Sequence, residues 1–270
     1  MVKSKLKNFS IFIIAIIIIL LLIIIIYPFK YDEIVGEKHM GCSIEHPFGT
    51  DYLGRDFFIR ICFAMLNTIM ISICSIVCSL GIGVLYGTYA GYKGGKIEKI
   101  MRMVLNILEC IPDFLLAIII LIIFNNLFIN SNLIGIFLTL VMVSWTQMAR
   151  IIINETKKIM NNEYIQYSKI KNANFIHILT FHLLPNLKDI IIVTVIQKIP
   201  SAIFLESFLS FVGIGIQPPY PSLGKMISEG IKVFRIYASE LIIPSIVLII
   251  VVLIFNLFGE TIIKKENFGE

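Results

Sequence analysis

Long apolar runs separated by short polar segments are the dominant pattern along this chain. A helix needs about 20 apolar residues to cross a bilayer core of roughly 30 Å. Five or six runs reach that length, which predicts an all-α polytopic membrane protein. We predict six membrane-spanning helices, at Phe9–Tyr27, about Cys62–Ala90, about Ile100–Phe124, about Leu133–Ile153, about Asp189–Val212 and about Leu241–Ile263.

The segments between these runs divide the chain. The first run follows three lysines and is longer than the apolar core of a signal peptide, so we expect it to stay as an anchor. Residues 1–60 are therefore interpreted as an anchoring span with an external loop, and residues 61–265 as the main transmembrane domain. Within that domain, residues 154–188 form the longest loop, and residues 213–240 form a second loop rich in glycine and proline.

Composition and charge narrow the class of protein. The chain is 57% hydrophobic and 15% charged, which leaves no room for a separate globular domain. Most of its basic residues lie in or next to the short connecting loops, fifteen on the side of the termini and seven on the other. The positive-inside rule then places both termini and the 154–188 loop on the cytoplasmic side of a bacterial inner membrane. Nucleic-acid binding is excluded, because the basic residues do not form one soluble face with aromatic residues.

Three glycines, Gly83, Gly87 and Gly91, recur at four-residue spacing in the second predicted span. Small residues at this spacing let two helix backbones approach closely in lipid. We therefore interpret them as a helix-packing stripe.

The chain carries no motif for chemistry of its own. The segment Gly91–Lys96 lacks the GxxxxGK spacing and the following Ser or Thr of a phosphate-binding loop, so we expect no ATP hydrolysis by this chain. The four histidines and five cysteines show no metal-ligand spacing and no nucleophile–base pair. We predict a protein that is not an enzyme, has no metal site and binds no cofactor.

Three carboxylates, Glu109, Asp113 and Glu206, fall within predicted spans, close to Pro112 and Pro200. A carboxylate in lipid is costly, so such residues usually face a polar cavity or a partner. We predict that these three line a pathway through the membrane. The alternative is that the span boundaries are drawn one turn too wide.

The 154–188 loop has helical character. Asn162 can cap a helix that begins at Glu163, and Asn172 can end it in a left-handed conformation. A second apolar helix follows from Phe175, and we expect Pro185 to stop it. Two short helices with an apolar face suit docking into the groove of another protein. A helix lying on the membrane surface is the alternative interpretation.

Four stretches in this order resemble the second permease subunit of the dipeptide, oligopeptide and nickel class of ATP-binding-cassette importers, which has the type I importer permease fold. The resemblance extends from about His46 to Glu260. The stretches are His46–Asp56, Glu163–Asn172 with His182–Asn186, Glu206–Gly224, and Phe255–Glu260.

The resemblance implies a heteromeric importer in lipid: this chain, a sister permease subunit, two cytoplasmic ATPase subunits that use ATP and Mg²⁺, and an extracytoplasmic solute-binding protein. It also implies a set of residues that couple to the ATPases. They are Glu163, Tyr164, Gln166, Tyr167, Ser168, Asn172, His182, Pro185 and Asn186. The sequence departs from the family here, with Gln166-Tyr167-Ser168 for the usual Glu-Ala-Ala and Asn172 for the usual Gly, and bulky Tyr167 alters the expected fit.

The predicted cargo is di- and oligopeptides, since Gln217-Pro218-Pro219 fits the peptide branch of the family better than the nickel branch. Nickel or a metal chelate is the alternative cargo. A secondary transporter or channel that works alone, and a membrane enzyme or scaffold, are alternatives from other classes. Uptake driven by an ion gradient without ATPase partners would distinguish the secondary transporter.

Overall fold

The computed structural model describes residues 2–127, 132–171 and 173–263, which are almost entirely helical. The helices are α1 (Val2–Ile26), α2 (Phe57–Lys93), α3 (Gly95–Glu109), α4 (Asp113–Leu127), α5 (Asn132–Met160), α6 (Glu163–Ile170), α7 (Phe175–Ile178), α8 (Leu184–Val212), α9 (Leu223–Val233) and α10 (Ser239–Ile263). A π-helical turn, Leu179–Leu183, joins α7 to α8. The all-α prediction is confirmed.

Four helices in the described ranges are long and apolar enough to cross a membrane: α2, α5, the continuous helix Phe175–Val212, and α10. The bent pair α3 and α4 makes a fifth candidate, and α1 contributes a shorter apolar stretch, Ile13–Ile26. A count of six spans stays a prediction. Residues 128–131, between the third and fourth predicted spans, lie outside the described residues, and α4 extends to Leu127.

The third predicted span is not one straight helix, which corrects the sequence-based boundary. α3 and α4 meet at an angle of 88°. The break falls at Cys110–Pro112, because proline has no N–H to donate and disfavours helical geometry in the residue before it.

The glycine stripe of α2 packs directly against α5. A Cβ on Gly87 would lie 2.6 Å from Cβ of Ile152, and one on Gly91 would lie 2.7 Å from Cβ of Thr156. Side chains larger than hydrogen therefore do not fit at these positions in this packing. The predicted helix-packing role of the glycines is confirmed, and α2 with α5 forms the scaffold of the fold.

The segment predicted as a loop at residues 213–240 contains a helix, α9, which sequence analysis missed. The Ser222 hydroxyl caps it by accepting a hydrogen bond from the Lys225 amide at 3.2 Å. A Cβ on Gly224 would lie 1.8 Å from the Ser207 carbonyl oxygen, so α9 lies directly against α8.

The segment before α2 is held by buried ion pairs together with two isolated β-bridges, Ile34 with Arg55 and Thr50 with Asp56. Asp51 pairs with Arg55 at 2.7 Å and with Arg60 at 3.2 Å. Asp56 accepts the Ile59 amide at 3.0 Å as the N-cap of α2. Burial, together with the nearby charge of Glu229 on α9, raises the pKa of the Tyr52 phenol. These contacts fix the segment to the ends of α2 and α9.

Candidate functional site

Polar side chains along one stripe of α5 pair with the broken span. Lys157 bonds to Glu98 at 3.2 Å, near the start of α3. Arg150 pairs with Glu109 at the end of α3. One α5 turn further along, the Gln147 amide donates to Asp113 at 2.9 Å, at the start of α4.

The order of these pairs shows the path of the broken span. Contacts move from residue 157 to residue 147 of α5 as the chain runs from α3 into α4. Further along, Ala117 and Leu121 of α4 share an apolar cluster with Ile136 and Val143 of α5. The contacts of α3 and α4 therefore progress along α5 in the direction opposite to its chain, over about 30 Å at 1.5 Å per residue, and the bend lies near the middle of these contacts.

A cavity of about 660 Å³ opens beside this bend, between α4, α5, α8 and α10. Its volume lies within the roughly 300–1,000 Å³ of small-molecule sites. The walls are mostly apolar and aromatic, with a few polar groups. The lining residues are Asp113, Phe114, Val143, Ser144, Gln147, Lys198, Pro200, Ser201, Ala202, Phe204, Leu205, Phe208, Val252 and Asn256.

The three carboxylates predicted to line a pathway occupy different places. Asp113 is exposed and lines the cavity. Glu109 lies next to it at the bend, paired with Arg150. The pathway-lining role of these two stays a prediction.

Glu206 is fully buried and points into the protein instead of into the cavity. Its carboxylate accepts hydrogen bonds from Thr68 and Ser210 at 2.8 Å and from Ser207 at 3.3 Å. Ser210 in turn accepts the Ile216 amide at 3.0 Å. In this conformation Glu206 joins α8 to α2 and to the segment after α8, so its predicted pathway role is still untested.

Sequence analysis missed one of the polar residues that line the cavity, Lys198. Lys198 is not among the basic residues counted on the two sides of the membrane, because it lies inside the fifth predicted span rather than in a loop. A lysine within an apolar run is itself a signal for a functional site. Its ammonium donates to the side-chain oxygen of Gln147, whose amide donates to Asp113.

The 163–183 segment packs its inner face against the ends of α2 and α5. Ile165, Ile178 and Leu183 have no exposed surface and share an apolar cluster with Val84 and Ile152. The predicted start of α6 at Glu163 is confirmed. Asn172 lies outside the described residues.

Side chains of the predicted coupling set hold α6 to its neighbours. Gln166 donates to the Met160 carbonyl at 2.8 Å, and Ser168 lies 3.3 Å from a ring nitrogen of His182. Asn186 donates to the His182 carbonyl at 2.6 Å. Glu163 is exposed at the start of α6. The set therefore forms a folded unit on the ends of the spans.

The outer face of this unit is apolar and aromatic. Tyr164, Tyr167, Ile176 and Phe181 are between 45% and 68% exposed. Tyr167, where the resembled family has a small residue, projects from this face at 58% exposure. Such a face is typical of a surface that docks a partner.

Pro185 does not stop the second helix, which corrects the sequence-based expectation. The chain is helical from Phe175 through Val212. A π-helical turn precedes the proline, with the Leu184 amide bonded to the Leu179 carbonyl. The wider turn accommodates a residue that has no N–H to donate, so the helix passes through Pro185.

Several helices long and apolar enough to span a membrane, a bent helix pair among them, and a polar group lining a largely apolar cavity are typical of a helical membrane transport protein. A family model described as the binding-protein-dependent transport system inner membrane component matches residues 83–265. This chain belongs to that family of importer permeases, as the four sequence stretches predicted.

Two curated relatives are similar over most of the chain. The oligopeptide transport system permease protein OppC of Bacillus subtilis is 33% identical over 218 residues, which cover 81% of this chain and 70% of that protein. The dipeptide transport system permease protein DppC of the same organism is 35% identical over 225 residues, which cover 83% and 69%.

A solved structure confirms the fold. The MetNI methionine ABC transporter in inward-facing conformations superimposes with a TM-score of 0.59 at 18% identity, over 75% of this chain and 94% of that chain. The type I importer permease fold follows from this likeness and the family match. The protein is a non-catalytic, multi-pass subunit of the bacterial inner membrane, and its family works with ATPase and binding-protein subunits.

Proposed function

We propose that this chain forms half of the translocation pathway of an ATP-driven importer for di- and oligopeptides. The observation that carries this proposal is the cavity between α4, α5, α8 and α10, which combines apolar walls with a few polar groups. Peptides present both kinds of surface. The names of the relatives, for oligopeptide and dipeptide transport, support the same cargo.

The partners would be a sister permease, two cytoplasmic ATPase subunits and an extracytoplasmic solute-binding protein. ATP and Mg²⁺ would be bound by the ATPases and not by this chain. The exposed apolar face of α6 and α7 would dock one ATPase, with both termini of the chain on the same, cytoplasmic side. Support for this assignment comes from the inner face of the segment, which is packed against α2 and α5 and would transmit movement to the spans.

The test is uptake of labelled peptides in cells that lack this chain and are complemented with variants of it. Ser168→Pro breaks α6, because proline in a helix interior costs about 3 kcal/mol. We expect it to abolish uptake while the chain still inserts in the membrane. Ser168→Ala keeps the helix and is the matched control. Normal uptake by the proline variant would refute the coupling role.

The same cells distinguish the cargo. Peptide uptake that depends on this chain supports the proposal, whereas nickel or chelate uptake with no peptide uptake would overturn it. Uptake that persists without ATPase partners and follows an ion gradient would instead indicate a secondary transporter.

A further inference from the structure

Lys198 lies at the middle of the spanning helix α8 and lines the cavity. A charge at this depth is costly and usually faces a polar cavity or a partner. The rest of the cavity offers mainly apolar surface, including Phe204 and Phe208. An ammonium in such surroundings attracts an anion more strongly than one in bulk water.

The Lys198 ammonium has hydrogen-bonding capacity to spare. An ammonium group has three donors. Within residues 2–127, 132–171 and 173–263, its one hydrogen-bond partner is the side-chain oxygen of Gln147, and no carboxylate lies within 4.0 Å of it. The donors not used by Gln147 are therefore free for a ligand that enters the cavity.

The neighbours of Lys198 balance its charge without a direct ion pair. Asp113 accepts from Gln147 at 2.9 Å, so a carboxylate balances the lysine charge through an amide instead of a direct ion pair. Glu109, the next carboxylate, is already paired with Arg150. A direct ion pair would have to be broken before cargo could bind, whereas this relay leaves the ammonium available.

We propose that Lys198 binds a carboxylate of the cargo while the cargo is inside the membrane, with Gln147 holding the ammonium in position. This inference rests on the proposed peptide-importer function and specifies the chemistry that the pathway recognises. The ligand class is a small organic anion that carries a carboxylate. In a peptide that group is the C-terminus or an acidic side chain.

The experiment uses the assembled importer in proteoliposomes with its binding protein. Two labelled peptides of the same sequence are compared, one with a free C-terminal carboxylate and one with a C-terminal amide. The affinity of the binding protein for each is measured separately, and each is supplied at saturation. We expect the amide to be transported about tenfold to a hundredfold more slowly by the native importer, because it cannot form a charge-assisted bond.

Lys198→Met should remove this discrimination by slowing the free peptide to the rate of its amide. Lys198→Arg keeps the charge and should retain the preference. Lys232→Met removes an exposed lysine of α9 and is the matched control for loss of one positive charge. Co-purification of the four proteins with all importer subunits, as one complex of the native size, shows that each is assembled.

An amidated peptide that carries a glutamate side chain identifies the source of the carboxylate. Restored transport by the native importer shows that a side-chain carboxylate is accepted, and slow transport shows that the terminus is required. An undiminished preference for the free peptide in the assembled Lys198→Met importer would overturn the proposal. If the native importer moved neither peptide, the proposed function itself would fail.

Discussion

The contact between α2 and α5 gives the most direct test of the fold, through Gly87→Ala. The new Cβ would lie 2.6 Å from Cβ of Ile152 and 2.8 Å from the Ala149 carbonyl oxygen. Carbon atoms pack best at about 3.5–4.0 Å, so α2 and α5 must separate by roughly 1 Å. Because Gly83 and Gly91 contact the same helix, the separation would loosen the whole stripe.

The expected magnitude follows from two opposing effects. Overpacking of a tight contact costs about 1–3 kcal/mol. Alanine in place of glycine within a helix gains up to about 1 kcal/mol. We therefore expect Gly87→Ala to lower the free energy of unfolding by up to about 2 kcal/mol.

The same helix provides the control. Gly81 also lies in α2, but a Cβ there would meet no atom within 4 Å. Gly81→Ala should show the gain in helix propensity without the clash and should be neutral or stabilising. The assay is unfolding of the purified chain in mixed detergent micelles, followed by tryptophan fluorescence from Trp145. Equal stability of the two variants would refute the tight packing of α2 on α5.

Further predictions concern the buried carboxylate and nucleotide hydrolysis. Glu206→Ala leaves the Thr68 and Ser210 hydroxyls without their buried acceptor and should destabilise the chain by about 2 kcal/mol or more. Glu206→Gln keeps an acceptor, and this variant should unfold nearly as the native chain does. If Glu206→Gln has native stability but altered uptake, that result would instead favour the predicted pathway role of Glu206. The purified chain alone should not hydrolyse ATP, because Gly91–Lys96 lacks the phosphate-loop pattern, and turnover that co-purifies with the chain after contaminating ATPases are removed would contradict this.

The lengths of the apolar runs were enough to predict most of the fold from the sequence. Apolar stretches near 20 residues located α2, α5, α8 and α10, because lipid requires that length of any crossing helix. The glycine spacing in α2 predicted a close helix contact, which the structure confirms with α5. The helix start at Glu163 followed from local capping chemistry.

The structure differs from the sequence-based prediction where prolines and short helical segments are not visible in the lengths of the apolar runs. Pro112 lies inside the third predicted span and has mostly apolar residues on both sides, so hydropathy alone did not reveal the bend that brings Asp113 to the cavity. Pro185 was expected to end a helix, but a π-helical turn absorbs it. α9 is short and lies in a segment rich in glycine and proline, which masked its amphipathic pattern.

The candidate site was harder to predict because it depends on which helices meet. Glu206 and Asp113 look alike in sequence, as carboxylates within spans. Only tertiary packing distinguishes them, since Thr68 of α2 donates a hydrogen bond to Glu206 while Asp113 lines the cavity. Lys198 was detectable as a charge in an apolar run, but its partner Gln147 is 51 positions away in the sequence.

The passage of the helix through Pro185 has a mechanical consequence. Residues Phe175–Val212 form one continuous helix of 38 residues, which carries Ile176 and Phe181 of the exposed face near one end and Lys198 in its interior. At 1.5 Å per residue, Lys198 lies about 35 Å from Phe175. A tilt of about 5° around the Phe175 end would shift the lysine by roughly 3 Å, the length of one hydrogen bond. A small tilt of this helix at its proposed docking end would thus be sufficient to form or break the proposed contact between Lys198 and a cargo carboxylate.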